Sequence, residues 1–230
     1  MANLWQRDRT FYAAYTLAAI ATVLAGFGPT YYFKGSRGPA LVPLVQLHAA
    51  LFTTWMVLFA VQVFLVTKRR TDIHRRLGIF GVLIAIAILV AGYTTAIAGA
   101  RTGWTGPRSP RDAMEALNFL VVPLGDLVLF LGFLCSALYF RKQPEIHKRM
   151  MILAMVGGII PAAFGRLPGP VMIPVALILL LAGPIYDRIS RRRIHGVYIW
   201  GTALIILSIP FRLVLSRTDP WHRFADWLIH

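Results

Sequence analysis

The chain has 230 residues, 57% hydrophobic and 14% charged, with a mean hydropathy of +0.65. That composition excludes an ordinary water-soluble domain and makes a polytopic membrane protein the default class. Lys and Arg (24) outnumber Asp and Glu (9) for a formal charge of +15, but the cations fall between apolar runs, where they set topology, so no nucleic-acid partner is implied.

Seven apolar stretches can be read along the chain, at 11–33, 41–67, 77–100, 117–140, 151–167, 171–189 and 197–216. Each is near the roughly 20 residues that a helix needs to cross about 30 Å of hydrocarbon. The first is too long for a signal-peptide core and has no clear small-residue cleavage site, so it is read as a retained helix. The fifth and sixth meet at Leu167-Pro168-Gly169-Pro170, where two prolines forbid a continuous helix, and a tight hairpin is expected. Beyond the seventh, Thr218-Asp219-Pro220-Trp221 has the form of a helix start, with Trp221, Phe224 and Leu228 on one face. A short interfacial helix is expected near 219–229. The fold class is therefore all-α: a seven-span membrane bundle over 1–230, one leading helix followed by three helical hairpins.

Basic loops are retained on the cytoplasmic side. Arg7, Arg9 and the linkers after spans two, four and six place 15 basic residues on one side; Lys34, Arg37, Arg101, Arg108, Arg111, Arg166, Arg217 and Arg223 make eight on the other. The expectation is an inner-membrane protein with its N-terminus cytoplasmic, its C-terminus outside and anionic headgroups as partners. The one cysteine, Cys135, lies in an apolar run, so neither an intramolecular disulfide nor a thiolate cluster can form.

The cytoplasmic linkers end alike, in Asp72-Ile73-His74-Arg75-Arg76-Leu77, Glu145-Ile146-His147-Lys148-Arg149-Met150 and Ile194-His195-Gly196, each just before an apolar span. The repeat is clear in two copies and weak in the third. The segments Ile-His-Arg-Arg-Leu-Gly and Ile-His-Lys-Arg-Met-Met-Ile-Leu-Ala resemble those of a group of uncharacterised bacterial multi-helix inner-membrane proteins, over most of the chain. More distantly, at the two hairpin exits alone, they are similar to small four-helix membrane proteins implicated in haem-copper oxidase maturation. That resemblance implies a haem-related or respiratory role.

Two constellations are candidates for chemistry. His74, His147 and His195 stand at one membrane depth and would converge if the hairpins packed round an axis; neutral imidazoles ligate a divalent metal or haem iron, and Asp72 and Glu145 are candidate outer acceptors. The competing reading makes them first-turn residues beside headgroup-binding cations, with Thr71, Asp72 and Glu145 capping or balancing helix N-termini. On the outer side, His48 and Asp126 count to a common depth of about 10 to 14 Å, with Arg212 and Arg166 adding charge and Tyr93, Asn118, Gln46 and Tyr31 adding polar atoms. This layer is either a ligand or proton site or a structural charge pair that locks the helices. His48, Trp55 and Gln62 recur every seven residues and form one stripe that should face neighbouring helices.

No phosphate-cradling loop with a lysine, His-Glu-x-x-His, Gly-x-Ser-x-Gly or desaturase-type histidine set is present. Three functions fit: a binding or redox-accessory protein holding an apolar ligand, haem or metal, attached to a respiratory or other membrane complex; a small proton-coupled transporter using His48, Asp126 and Arg212; or an intramembrane enzyme with His48 and Asp126 as acid and base.

Overall fold

The computed structural model describes residues 2–35, 41–102 and 112–230, and every regular element among them is helical. Of the cations assigned to the outer side, Arg37, Arg108 and Arg111 lie outside the described residues. The elements are α1 (Ala2–Phe27), running into a π-helical turn at Gly28–Tyr32; α2 (Pro43–Thr67); α3 (Thr71–Thr102); α4 (Ala113–Tyr139); α5 (Pro144–Ala154), a π-helical segment Met155–Ile159 and the short α6 (Pro161–Phe164); α7 (Gly169–Arg191); α8 (Gly196–Leu215); and α9 (Asp219–Ile229). Among the described residues, six helices are long and apolar enough to cross a membrane: those containing Leu4–Tyr32, Pro43–Thr67, Thr71–Thr102, Ala113–Tyr139, Gly169–Arg191 and Gly196–Leu215. The chain is thus a multi-pass, all-helical membrane protein.

Several helices begin well before their apolar stretches. α1 starts at Ala2 rather than near residue 11, because its polar first turns dock: Trp5 carries the guanidinium of Arg9 on α1 and that of Arg69 from the α2–α3 turn, each 4.4 Å from its ring, and Asp8 enters an ion network with α5 and α7. α5 starts at Pro144, where a residue without an N–H costs a first turn nothing.

The centre of the bundle is the segment expected as the fifth span. Ile152, Leu153, Ala154, Met155, Val156, Ile159, Ile160 and Ala163 are all 4% exposed or less, and this stretch packs against α4, α1, α7 and α8. Its helix is interrupted where Gly157-Gly158 and Pro161 fall together. A side chain at Gly158 would meet Phe130 Cβ at 2.4 Å and the Asp126 carbonyl at 2.8 Å, so glycine is what lets the π segment lie against α4. Trp55 closes the packing from α2, edge-on to Phe130 at 5.2 Å and donating its indole N–H to Met155 Sδ at 3.2 Å. The stripe of His48, Trp55 and Gln62 does face inward: Trp55 is buried and the other two are half-buried. α9 folds back over the ends of α3 and α4, with Trp221 and Ala225 buried against Ala96, Ile97, Leu120 and Val121, while Phe224 and Trp227 stay exposed.

Candidate functional site

Two of the three inner histidines meet. His74, in the first turn of α3, and His147, at the matching position of α5, have ring centres 6.2 Å apart and planes almost perpendicular, at 88°. His147 donates Nδ1–H to the carbonyl of Ala137 at 2.8 Å, which fixes its tautomer and leaves Nε2 with the lone pair. Gln62, from the α2 stripe, donates to the His74 carbonyl at 3.2 Å. Its Oε1 and the Nδ1 of His74 are buried with no hydrogen-bond partner among the described residues. Such orphaned atoms are uncommon in a settled interior. His195 is placed elsewhere: it caps α8, where its Nδ1 accepts the Val197 N–H at 3.2 Å. Among the described residues no group of three or more His, Cys, Asp or Glu gathers as metal ligands.

His195 belongs to a charged network that the sequence did not signal as a unit. Arg149, fully buried, makes a two-point bond to Asp187, itself 1% exposed: Nε to Oδ2 at 2.8 Å and Nη2 to Oδ1 at 2.7 Å. The same guanidinium donates to the Glu145 carboxylate at 2.7 Å. Asp187 also accepts the backbone N–H of His195 at 3.1 Å. Asp8 of α1 accepts from Lys148 at 2.7 Å, from Arg191 at 2.8 and 2.9 Å and from the Tyr186 hydroxyl. Four helices are thereby tied at the basic end of the bundle. Burial pushes the Glu145 carboxyl up, but hydrogen bonds from Lys148 and Arg149 outweigh it and hold the group below its ordinary value. Burial, and then the Arg149 charge, hold the His195 imidazole below its ordinary value. Asp187, an acid inside an apolar run, is the one signal that pointed here.

At the other end, Asp126 and Arg212 do converge. Arg212 donates to Asp126 Oδ1 at 2.6 Å, to the Val122 carbonyl at 3.1 Å and to Ser208 Oγ at 3.2 Å. The guanidinium lies flat on Gly125, where a Cβ would fall 2.6 Å from its Nε. His48 does not join them: its ring stacks on Phe52 at 4.3 Å, its Nδ1 has no partner among the described residues, and no hydrogen bond or ion pair links it to Asp126 or Arg212. Arg166 donates to Thr30 Oγ1 at 3.4 Å and covers the Phe27 ring at 4.7 Å. Tyr93 is 42% exposed and faces outward. Asn118 accepts from His222 Nε2 at 2.8 Å, Gln46 donates to the Leu41 carbonyl at 2.8 Å, and Tyr31 packs edge-on to Tyr32. The outer polar residues are thus separate local contacts round one charge pair.

No family model matches the chain, and neither a curated protein nor a solved structure matches it.

Proposed function

We propose that the chain is a seven-crossing inner-membrane protein that holds a metal-centred cofactor, a transition-metal ion or haem iron, at its cytoplasmic side among His74, His147 and Gln62. It serves as a binding or redox-accessory unit attached to a respiratory or other membrane complex. The observation that carries the site is the facing pair of imidazoles, one locked through Nδ1–H onto a carbonyl and the other with a buried, unpartnered Nδ1, joined by Gln62, which bonds the His74 carbonyl and has an unpartnered amide oxygen of its own. A backbone acceptor on one ring nitrogen is the usual support for a ligand on the other. The 6.2 Å between ring centres is at the upper end of what two imidazoles span on one ion, reached when they ligate from nearly opposite sides, as two axial ligands of haem iron do.

Support for the seventh crossing comes from the ion network. Arg149 near the start of α5, Asp187 near the end of α7 and Asp8 near the start of α1 stand at one level. A 23-residue α7 ending there starts about 34 Å away at 1.5 Å per residue, so residues 144–168 run from that level to the opposite one. The N-terminus is assigned to the cytoplasm by the excess of Lys and Arg at that end.

An absorption spectrum and elemental analysis of the purified protein test the cofactor directly. The expected result is a haem band or a stoichiometric metal that His74→Ala or His147→Ala releases, and that His195→Ala and His222→Ala retain. Release should also follow acidification, since a protonated imidazole cannot coordinate. Protein that stays colourless and metal-free after incubation with haem, Cu²⁺ and Zn²⁺ overturns the assignment.

A further inference from the structure

A cleft of about 500 Å³ opens at the basic end of the bundle, between the start of α5 and the α7–α8 connection, with Leu4, Glu145, Arg149, Arg191, Arg193 and His195 in its wall. We propose that this cleft binds a phosphate-bearing anion. The argument rests on which donors are already used. Asp187 and Glu145 hold Arg149 rigid, and Asp8 and Asp187 hold Arg191, so two guanidiniums are fixed in place before any ligand arrives.

Among the described residues, three donors in the same wall have no protein partner. The Arg191 Nε–H has no acceptor, and Arg193 makes no hydrogen bond or ion pair. In His195, Nδ1 accepts from Val197, so the neutral ring carries its proton on Nε2, which is unpaired. Arg193 and His195 are brought round by Arg192, whose φ of +58° ends α7 in a left-handed turn. Planar guanidinium forks match the oxygens of phosphate, and an imidazole N–H in the same wall adds a further donor. Leu4 supplies an apolar wall, and its helix enters the membrane next to it. Basic pockets between helices at this level suit the headgroup of an anionic phospholipid, whereas free phosphate or a soluble phosphate ester offers the same group without the chain.

Arg193 makes the test clean, because it takes no part in the ion network. Purified protein in uncharged detergent is titrated with phosphatidylglycerol or phosphatidylcholine and read by native mass spectrometry, and inorganic phosphate is added separately while thermal unfolding is followed. Arg193→Gln is compared with Arg76→Gln, an exposed cation at the same end of the bundle that removes the same charge. The expected result is a preference of the wild type for phosphatidylglycerol, about fivefold weaker in Arg193→Gln and unchanged within twofold in Arg76→Gln, with both variants unfolding like the wild type when no anion is present. Phosphatidylglycerol that inorganic phosphate fails to displace identifies a lipid as the source. Stabilisation by phosphate that the lipid does not increase identifies a soluble phosphate compound. Equal retention of the two lipids with no phosphate effect overturns the proposal, as does an equal loss in the two variants, since binding would then be to diffuse charge.

Discussion

Among the described residues, Arg149 and Asp187 are the two charged groups most fully withdrawn from solvent, at 0% and 1% side-chain exposure. Asp187→Asn takes away the carboxylate that two Arg149 N–H groups share and leaves that buried guanidinium to the exposed Glu145, so a cost of about 3 kcal/mol is expected in denaturant unfolding of the micelle-solubilised protein. Asp126→Asn strands Arg212 in the same way inside an apolar span, and about 2–3 kcal/mol of loss is expected. Adding Arg212→Gln should then restore most of it, because neither charge is left; a double variant as unstable as the sum of the two singles would show that the pair is not coupled. Acid acts on the other network. His195 and Glu145 both hold protons less tightly when folded, so their contribution is present above their ordinary values of 6.5 and 4.5 and fades as pH falls through the lower folded values. Acidification from pH 7 should therefore lower the unfolding temperature in two stages, and His195→Gln should reduce the first without removing it, because burial also holds His74 below its ordinary value. The Asp126–Arg212 pair was legible because two rare intramembrane charges counted to similar depths. Arg149 was not: in the sequence it is one of many topology-setting cations, and its partner lies 38 positions away.

Helix ends and interruptions decide how well each element fits its neighbours. The apolar runs located the helices but not their starts, because α1, α3 and α5 extend through polar turns that other parts of the chain hold: Arg69 and Lys148 on α1, Gln62 on α3 and Asp8 on α5. The histidine repeat was legible for a local reason: equivalent first-turn positions on α3 and α5 face each other once those helices pack at one level. Its third copy failed because His195 ends in a cap rather than a first turn. In the central segment the α-helix breaks at Gly157-Gly158 and Pro161, and the close approach there is strict. Gly158→Ala would press a methyl against the backbone oxygen of Asp126 as well as Phe130, and backbone has little freedom to move, so a loss of about 1–3 kcal/mol is expected in the same unfolding assay. The opposite sign is expected at Arg192. Its left-handed φ disfavours any side chain, and Arg192→Gly should stabilise by about 0.5–1 kcal/mol, provided the Arg188 bond to its carbonyl is kept.

For the molecule as a whole, the central question is how many times the chain crosses the membrane, and the answer turns on its most buried part. Six helices announce themselves by length and hydropathy, whereas residues 144–164 carry Glu145, His147, Lys148 and Arg149 at one end and a π segment and proline in the middle. A helix surrounded by other helices need not look lipid-facing, since protein rather than lipid satisfies its surface. The crossing can be tested without disturbing the core. In a Cys135→Ser background, Lys142→Cys, Pro168→Cys and Arg217→Cys each place a thiol at an exposed connection. A membrane-impermeant maleimide applied to intact spheroplasts should label the positions at 168 and 217 and reach 142 only after permeabilisation. Labels at 142 and 217 with none at 168 cannot arise from seven crossings, nor from six with the N-terminus inside. Protection of both 142 and 168 would mean that residues 144–164 enter and leave on the same side, which would also put Arg188, Arg191, Arg192 and Arg193 outside. Such a result would contradict both the basic asymmetry and the ion network that ties α7 to the start of α1.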